Sequence, residues 1–151
     1  MALDFPLGSD LTRAVENFEV VGGVDYLPMK AVPTEITDWQ QGEFLLWDGA
    51  ALVDVDATTP KRNSYAVWTP TEQYDAQASK MLDVLLGGPY EAQTVHHDGA
   101  IANGDLLVAL LVGGVGVLKA STGAAQDAFA VGVALNDPSG APGNRLHYIC
   151  F

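Results

Sequence analysis

The stretch NGDLLVALLVGGVGVLKAS, Asn103 to Ser121, decides the fold. Aliphatic residues run from Leu106 to Leu118 and are broken only by Gly113, Gly114 and Gly116. A buried run cut by a glycine pair reads as two strands joined by a hairpin turn whose glycines supply positive φ. It falls short of the roughly 18 to 20 residues that span a bilayer. An earlier stretch, QGEFLLWDGAALVDVD from Gln41 to Asp56, repeats the pattern. Setting Gly42 on Gly104 places Glu43 on Asp105 and FLL on LLV, and each copy closes on a late strand, YAVW at Tyr65 to Trp68 and FAVGVAL at Phe129 to Leu135. The expectation is an all-β fold, an antiparallel barrel or sandwich built from two similar meanders, 41–68 and 103–135. They belong to one β-domain, 18–151, behind an extended N-terminal arm, 1–17.

In the arm, Leu3, Phe5 and Leu7 alternate with Ala2, Asp4 and Pro6, and Ser9 or Asp10 can cap a short helical turn to Asn17. NFEVV reads as a strand ended by Gly22-Gly23, and VDYLPMKAV as an edge strand, since Pro28 and Pro33 cannot donate to a ladder. Ile36 to Gln41 is read as a turn with Trp39 on the rim, and Ala57 to Ser64 as a polar loop broken by Pro60. Residues 71–86 are ambiguous. Thr71 could cap a helix carrying Tyr74, Ala78, Met81, Leu82 and Leu85 on one face, but MLDVLLGGPYEAQTV also alternates as a hairpin around Gly87-Gly88. We take a loop through Gln77 and strands at about 80–86 and 90–96. RLHYICF closes the chain as a strand, with Leu146, Tyr148 and Cys150 on one face and His147, Ile149 and Phe151 on the other.

A chain of 151 residues is one domain of ordinary size, about 15 Å in radius of gyration if compact. Cys150 stands alone, so no internal disulfide forms. The N-terminus lacks the basic and apolar regions of a secretory signal, so the product is expected in the cytoplasm or released by lysis. Nineteen acidic residues against seven basic give a net charge of −12, which opposes nucleic-acid binding. Only 17% of residues are charged, below the usual quarter. Either subunit contacts cover part of the surface, or uncharged polar residues cover a core of small side chains.

Three patterns bear on chemistry. VDVDATT, Val53 to Thr59, resembles the nucleophile motif of haloacid-dehalogenase phosphotransferases. That resemblance implies Asp54 as nucleophile, Asp56 as acid/base and a magnesium ion on the phosphate, on a parallel strand feeding a long helix; here Pro60 and a polar loop follow instead. His96, His97 and the distant His147 could be metal ligands, but neighbours on a strand point to opposite faces, and the preferred reading is a polar turn. GGVGVL lacks the third glycine of a dinucleotide fingerprint. No cofactor or metal is expected, and no catalytic constellation is complete.

The succession NGDLLVAL, a glycine turn, VLKAST, AFAVGVALNDPSG and a last strand resembles the capsid decoration, or cement, proteins of tailed bacteriophages. The upstream AVWTPTEQYDAQASKMLDVLLGGPYEAQTVHHDG is similar to a stretch of phage head proteins, so the likeness covers approximately Gln41 to Phe151. It implies a non-enzymatic virion protein, made in the host cytoplasm and placed on the outer capsid surface. There a homotrimer would bridge major capsid subunits, away from DNA and membrane. Phe5, Leu7, Trp39, Tyr148 and Phe151 are the candidate partner contacts. A tail-tube or head-completion protein is the alternative within the same vocabulary.

Overall fold

The computed structural model describes residues 18–22, 26–30, 39–67, 81–86 and 89–151. Its strands are β1 (Phe18–Gly22), β2 (Tyr26–Lys30), β3 (Phe44–Trp47), β4 (Leu52–Asp54), β5 (Ser64–Val67), β6 (Met81–Leu85), β7 (Tyr90–Thr94), β8 (Leu106–Val112), β9 (Val115–Ala120), β10 (Gly132–Ala134) and β11 (Leu146–Cys150). One short helix, α1 (Ala124–Asp127), precedes β10, and two 3-10 turns, Pro138–Gly140 and Pro142–Asn144, precede β11. The arm, its Ser9–Asn17 turn, Pro33 and the loop through Gln77 lie outside the described residues.

The strands form two antiparallel sheets, β1-β7-β11-β10-β8-β9 and β2-β6-β5-β3-β4. The all-β expectation holds, and its form is sandwich-like rather than a closed barrel. After β7 the chain swings to the far edge of β9, where His97 pairs with Leu118 in a single parallel bridge.

The sheets share a layout. Five consecutive strands, β2 to β6, are ordered β2-β6-β5-β3-β4, and the next five, β7 to β11, are ordered β7-β11-β10-β8-β9. First, fifth, fourth, second, third describes both. Two consecutive units therefore have one topology, and β1 is an added strand on the outer side of β7. The repeats read from sequence, 41–68 and 103–135, hold the middle three strands of each unit.

The turns entering β3 and β8 match in detail. Glu43 N donates to Gln40 O at 3.1 Å and Asp105 N to Ala102 O at 3.0 Å. The two carboxylates accept the same turns' first amides, Gln40 N at 2.7 Å and Ala102 N at 2.8 Å. Gly42 and Gly104 both take positive φ, 89° and 94°. Further along the match slips. Tyr65 pairs with Leu45 inside a strand, whereas Phe129–Val131 precede β10, because α1 lengthens the second connection.

Local chemistry explains these elements. In the β8–β9 hairpin Val112 pairs with Val115, leaving Gly113 (φ 58°) and Gly114 (φ 83°) as a two-residue turn whose twist suits antiparallel strands. On β3, Phe44 and Leu46 face the shared core while Leu45 joins a second cluster with Trp39, Leu52 and Val84. That is why FLLW reads as continuously apolar. Leu85, Leu107, Ala109, Leu118, Leu146 and Tyr148 meet Phe44 and Leu46 from both sheets. Each fully buried Leu or Phe contributes about 1.5–3 kcal/mol.

The structure corrects one pairing. Strands lie on either side of Gly87-Gly88, but β6 and β7 sit in different sheets and do not form a hairpin. The crossing between the sheets carries the chain from the first unit into the second. Pro28 lies on β2, which is an edge strand as its proline requires. β11 alternates buried and half-buried residues as its sequence predicts.

Candidate interaction surface

The expected contact residues fall into three groups. Phe5 and Leu7 lie outside the described residues. Tyr148 is completely buried between the sheets, and Trp39 is buried in the second cluster with its indole Nε1 donating to Asp54 Oδ1 at 2.9 Å. In the folded chain both serve the interior, Tyr148 because it alternates with Ile149 toward the core. Of the three candidates among the described residues, Phe151 keeps a surface, at 50% exposure.

Phe151 belongs to an apolar corner that the sequence did not bring together. Its N–H donates to Val131 O at 2.9 Å, extending the β10–β11 ladder by one rung and fixing the ring beside the start of β10. Phe129, two residues before Val131, is 39% exposed, on the segment between α1 and β10. Between this segment and the start of β5 lies a cavity of about 240 Å³ whose lining includes Arg62, Tyr65, Ala130, Val131, Cys150 and Phe151. Aromatic rings around a shallow apolar recess, rimmed by one arginine, are the chemistry that anchors protein partners.

The acidic residues have a different use. Asp56 Oδ1 accepts Thr58 N at 2.7 Å, Thr59 N at 2.9 Å and Thr58 Oγ1 at 3.1 Å. Asp48 Oδ1 accepts Ala50 N and Ala51 N, and Asp137 Oδ1 accepts Ser139 N and Oγ. These bonds hold all three carboxyls below the usual range, the backbone amides being the largest cause for Asp48 and Asp56 and the Ser139 hydroxyl for Asp137. The chain builds its turns with aspartate, so part of its negative charge is turn chemistry. A groove of about 490 Å³ between the 97–105 and 137–144 loops collects Asp98, Asp105 and Asp137, with Asp98 paired to Lys119 at 3.4 Å.

The residues of the phosphotransferase motif are separated by their roles. Asp54 ends an antiparallel edge strand and holds Trp39, while Asp56 closes the exposed turn beyond it. The parallel strand and long helix that this resemblance implies do not occur among the described residues, so we set that reading aside. The histidines also diverge. His96 is buried, its Nε2 bonded to Gln41 O at 2.9 Å; His97 Nε2 bonds Asn144 O at 2.7 Å; His147 pairs with Glu91 at 2.5 Å. No group of three His, Cys, Asp or Glu side chains converges on a metal-sized space among the described residues.

Sequence reasoning missed two features. Glu43 is completely buried, and its Oε1 accepts the N–H of Gly116 on β9 at 3.2 Å. Tyr90, Tyr148 and Cys150 cluster at one end of the core, the two hydroxyls 3.5 Å apart. Burial raises all three, the Cys150 thiol to about 11. The repeated turn could have signalled Glu43, since it pairs that residue with Asp105; nothing in sequence marked the tyrosines as neighbours. No protein-family model, curated protein or solved structure matches the chain.

Proposed function

We propose that this chain is a virion structural protein that decorates the outer surface of a tailed-phage capsid, bridging major capsid subunits as a homotrimer. One observation supports the reading: within the Gln41 to Phe151 resemblance, the part from Asn103 to Gly140 folds as a connected set, β8, β9, β10 and the Asp137 turn, that forms one end of the six-stranded sheet. That part of the resemblance therefore falls on neighbouring strands of one sheet.

The mechanism is additive adhesion. A two-sheet domain with a shared core is a rigid plug, and its exposed Phe129 and Phe151 offer anchors that bury apolar area across a seam between capsid subunits. A net charge of −12 suits the outer face, away from packaged DNA.

Co-sedimentation tests the proposal. The purified chain, mixed with expanded empty shells of the major capsid protein encoded in the same genome, should pellet with them at saturable stoichiometry. A chain that stays in the supernatant while remaining folded would refute it. A sixfold ring formed by the chain alone would transfer it to the tail-tube alternative.

A further inference from the structure

The apolar corner at Phe151 is built by both units. Arg62, Asn63 and Tyr65 of the first meet Ala130, Val131 and Phe151 of the second around the cavity of about 240 Å³. Each lip is tied down by backbone hydrogen bonds. On the first, Ser64 Oγ donates to Lys61 O at 3.0 Å and Trp47 N to Asn63 O at 3.2 Å. On the second, Phe129 N donates to Gln126 O at 2.8 Å and Phe151 N to Val131 O at 2.9 Å. A recess held in this way needs little ordering when a partner fills it.

Size and charge say what fits. The volume lies below the roughly 300–1,000 Å³ of pockets that enclose a drug-sized ligand, so the recess suits a side chain of a partner rather than a free small molecule. Its lining holds no Asp or Glu, in a chain with nineteen of them, while Arg62 stands exposed at its rim. Among the described residues no carboxylate pairs with Arg62, whereas Lys119 is paired with Asp98. Lys61, next to it, adds positive charge and attracts Asp56 only weakly. A guanidinium presents a flat fork that matches a carboxylate in two hydrogen bonds. An apolar group filling the recess beside it would exclude water from that pair and strengthen it.

We propose that the recess docks an acidic segment of the capsid subunit in which an apolar side chain stands next to an Asp or Glu: the apolar group fills the space beside Phe151 and Tyr65, and the carboxylate pairs with Arg62. The capsid subunit as the source rests on the function proposed above, and the chemistry of the segment rests on the pocket. The complementarity is local. A net charge of −12 opposes an acidic partner at long range, so the pocket selects its segment by the match at Arg62 rather than by overall attraction.

Co-sedimentation of the full chain with expanded empty shells of the major capsid protein, across chain concentrations, tests the pocket with two substitutions that remove the same charge. Arg62→Gln should weaken binding by about 30-fold or more, and Lys119→Gln should stay within about twofold. Arg62→Lys should recover part of the loss, because an ammonium restores the charge without the fork. Arg62 is exposed, so its variants should keep the wild-type urea midpoint. Combined with Phe151→Ser, the Arg62→Gln loss should be non-additive, since both residues hold one segment. Equal losses in Arg62→Gln and Lys119→Gln, or wild-type binding by Arg62→Gln, would overturn the pocket and leave the capsid reading standing. A folded wild-type chain that ignores the shells would overturn the capsid reading and this partner with it. If Arg62→Gln changes the oligomer mass of the chain and not its shell binding, the occupant is a second copy and the proposal fails.

Discussion

Glu43 and Gly116 stand in different units, yet the glutamate's Oε1 accepts the glycine's N–H at 3.2 Å and joins the units through a carboxylate with no exposure. Its other oxygen, Oε2, accepts Gln40 N at 2.7 Å, so one side chain both closes its own turn and caps a neighbouring strand. The contact exists because β9 has no side chain at that point.

Gly116→Ala should therefore be severe. Its Cβ would meet backbone, Phe44 O at 2.0 Å and Phe44 C at 3.0 Å, which cannot rotate away. We expect a loss of about 2–4 kcal/mol by urea unfolding. Gly140→Ala, with nothing within 4 Å, should stay within about 0.5 kcal/mol.

Glu43→Gln keeps the shape but places an amide NH₂ against one of two backbone donors. A buried donor facing a donor should cost about 1–3 kcal/mol. Asp105→Asn, on the equivalent but partly exposed turn, should cost less than half as much. Equal losses in the two variants would show that the cross-unit bond adds nothing.

The Tyr90, Tyr148 and Cys150 cluster governs the alkaline limit. Burial raises each group, so the stability it gives is present below the unfolded value and is lost as pH rises, from about 9 for the thiol upward. Urea midpoints measured against pH should fall above about 9, and Tyr148→Phe should flatten that limb. The Cys150 thiol, pushed up to about 11, should react with a disulfide reagent at least about a hundredfold more slowly in the folded chain than in denaturant.

The acid limb has other owners. Asp48, Asp56 and Asp137 are depressed by amides and hydroxyls of their own turns, so their stabilising effect is present above about 3.8 and is lost as pH falls below it. Asp56→Asn should flatten the loss below about pH 4 without altering the midpoint's pH dependence near 6. A variant that follows the wild-type curve throughout would remove Asp56 from this role.

Much of this was legible because strand patterns are local. The glycine pair at 113–114 set a hairpin, and the alternation in RLHYICF separated Tyr148 from Phe151 but did not show which of the two faces meets the core, so Tyr148 was taken as a partner contact although it is buried. The repeated turn at Gly42 and Gly104 exposed the duplication, although the sequence showed only its middle strands. The outer strands of each unit share topology but no vocabulary: YLPMK and YEAQT occupy the same place in their five-strand units. The β6–β7 crossing was misread because two strands flanking Gly87-Gly88 satisfy a hairpin pattern whether or not they pair. The apolar corner was invisible, since Tyr65, Ala130 and Phe151 meet only after both sheets have formed.

Imaging by electron cryomicroscopy of expanded capsid shells incubated with the chain addresses the central claim directly, with Phe129→Ser/Phe151→Ser as the paired variant. Both residues are only partly buried, so each substitution should cost about 1–2 kcal/mol of folding stability, and urea unfolding of the variant checks that it remains folded. The account requires added density with threefold symmetry on the outer surface, bridging neighbouring capsid subunits, and its loss in the variant. Bare shells beside a folded wild-type chain, or density confined to the inner surface, would contradict it.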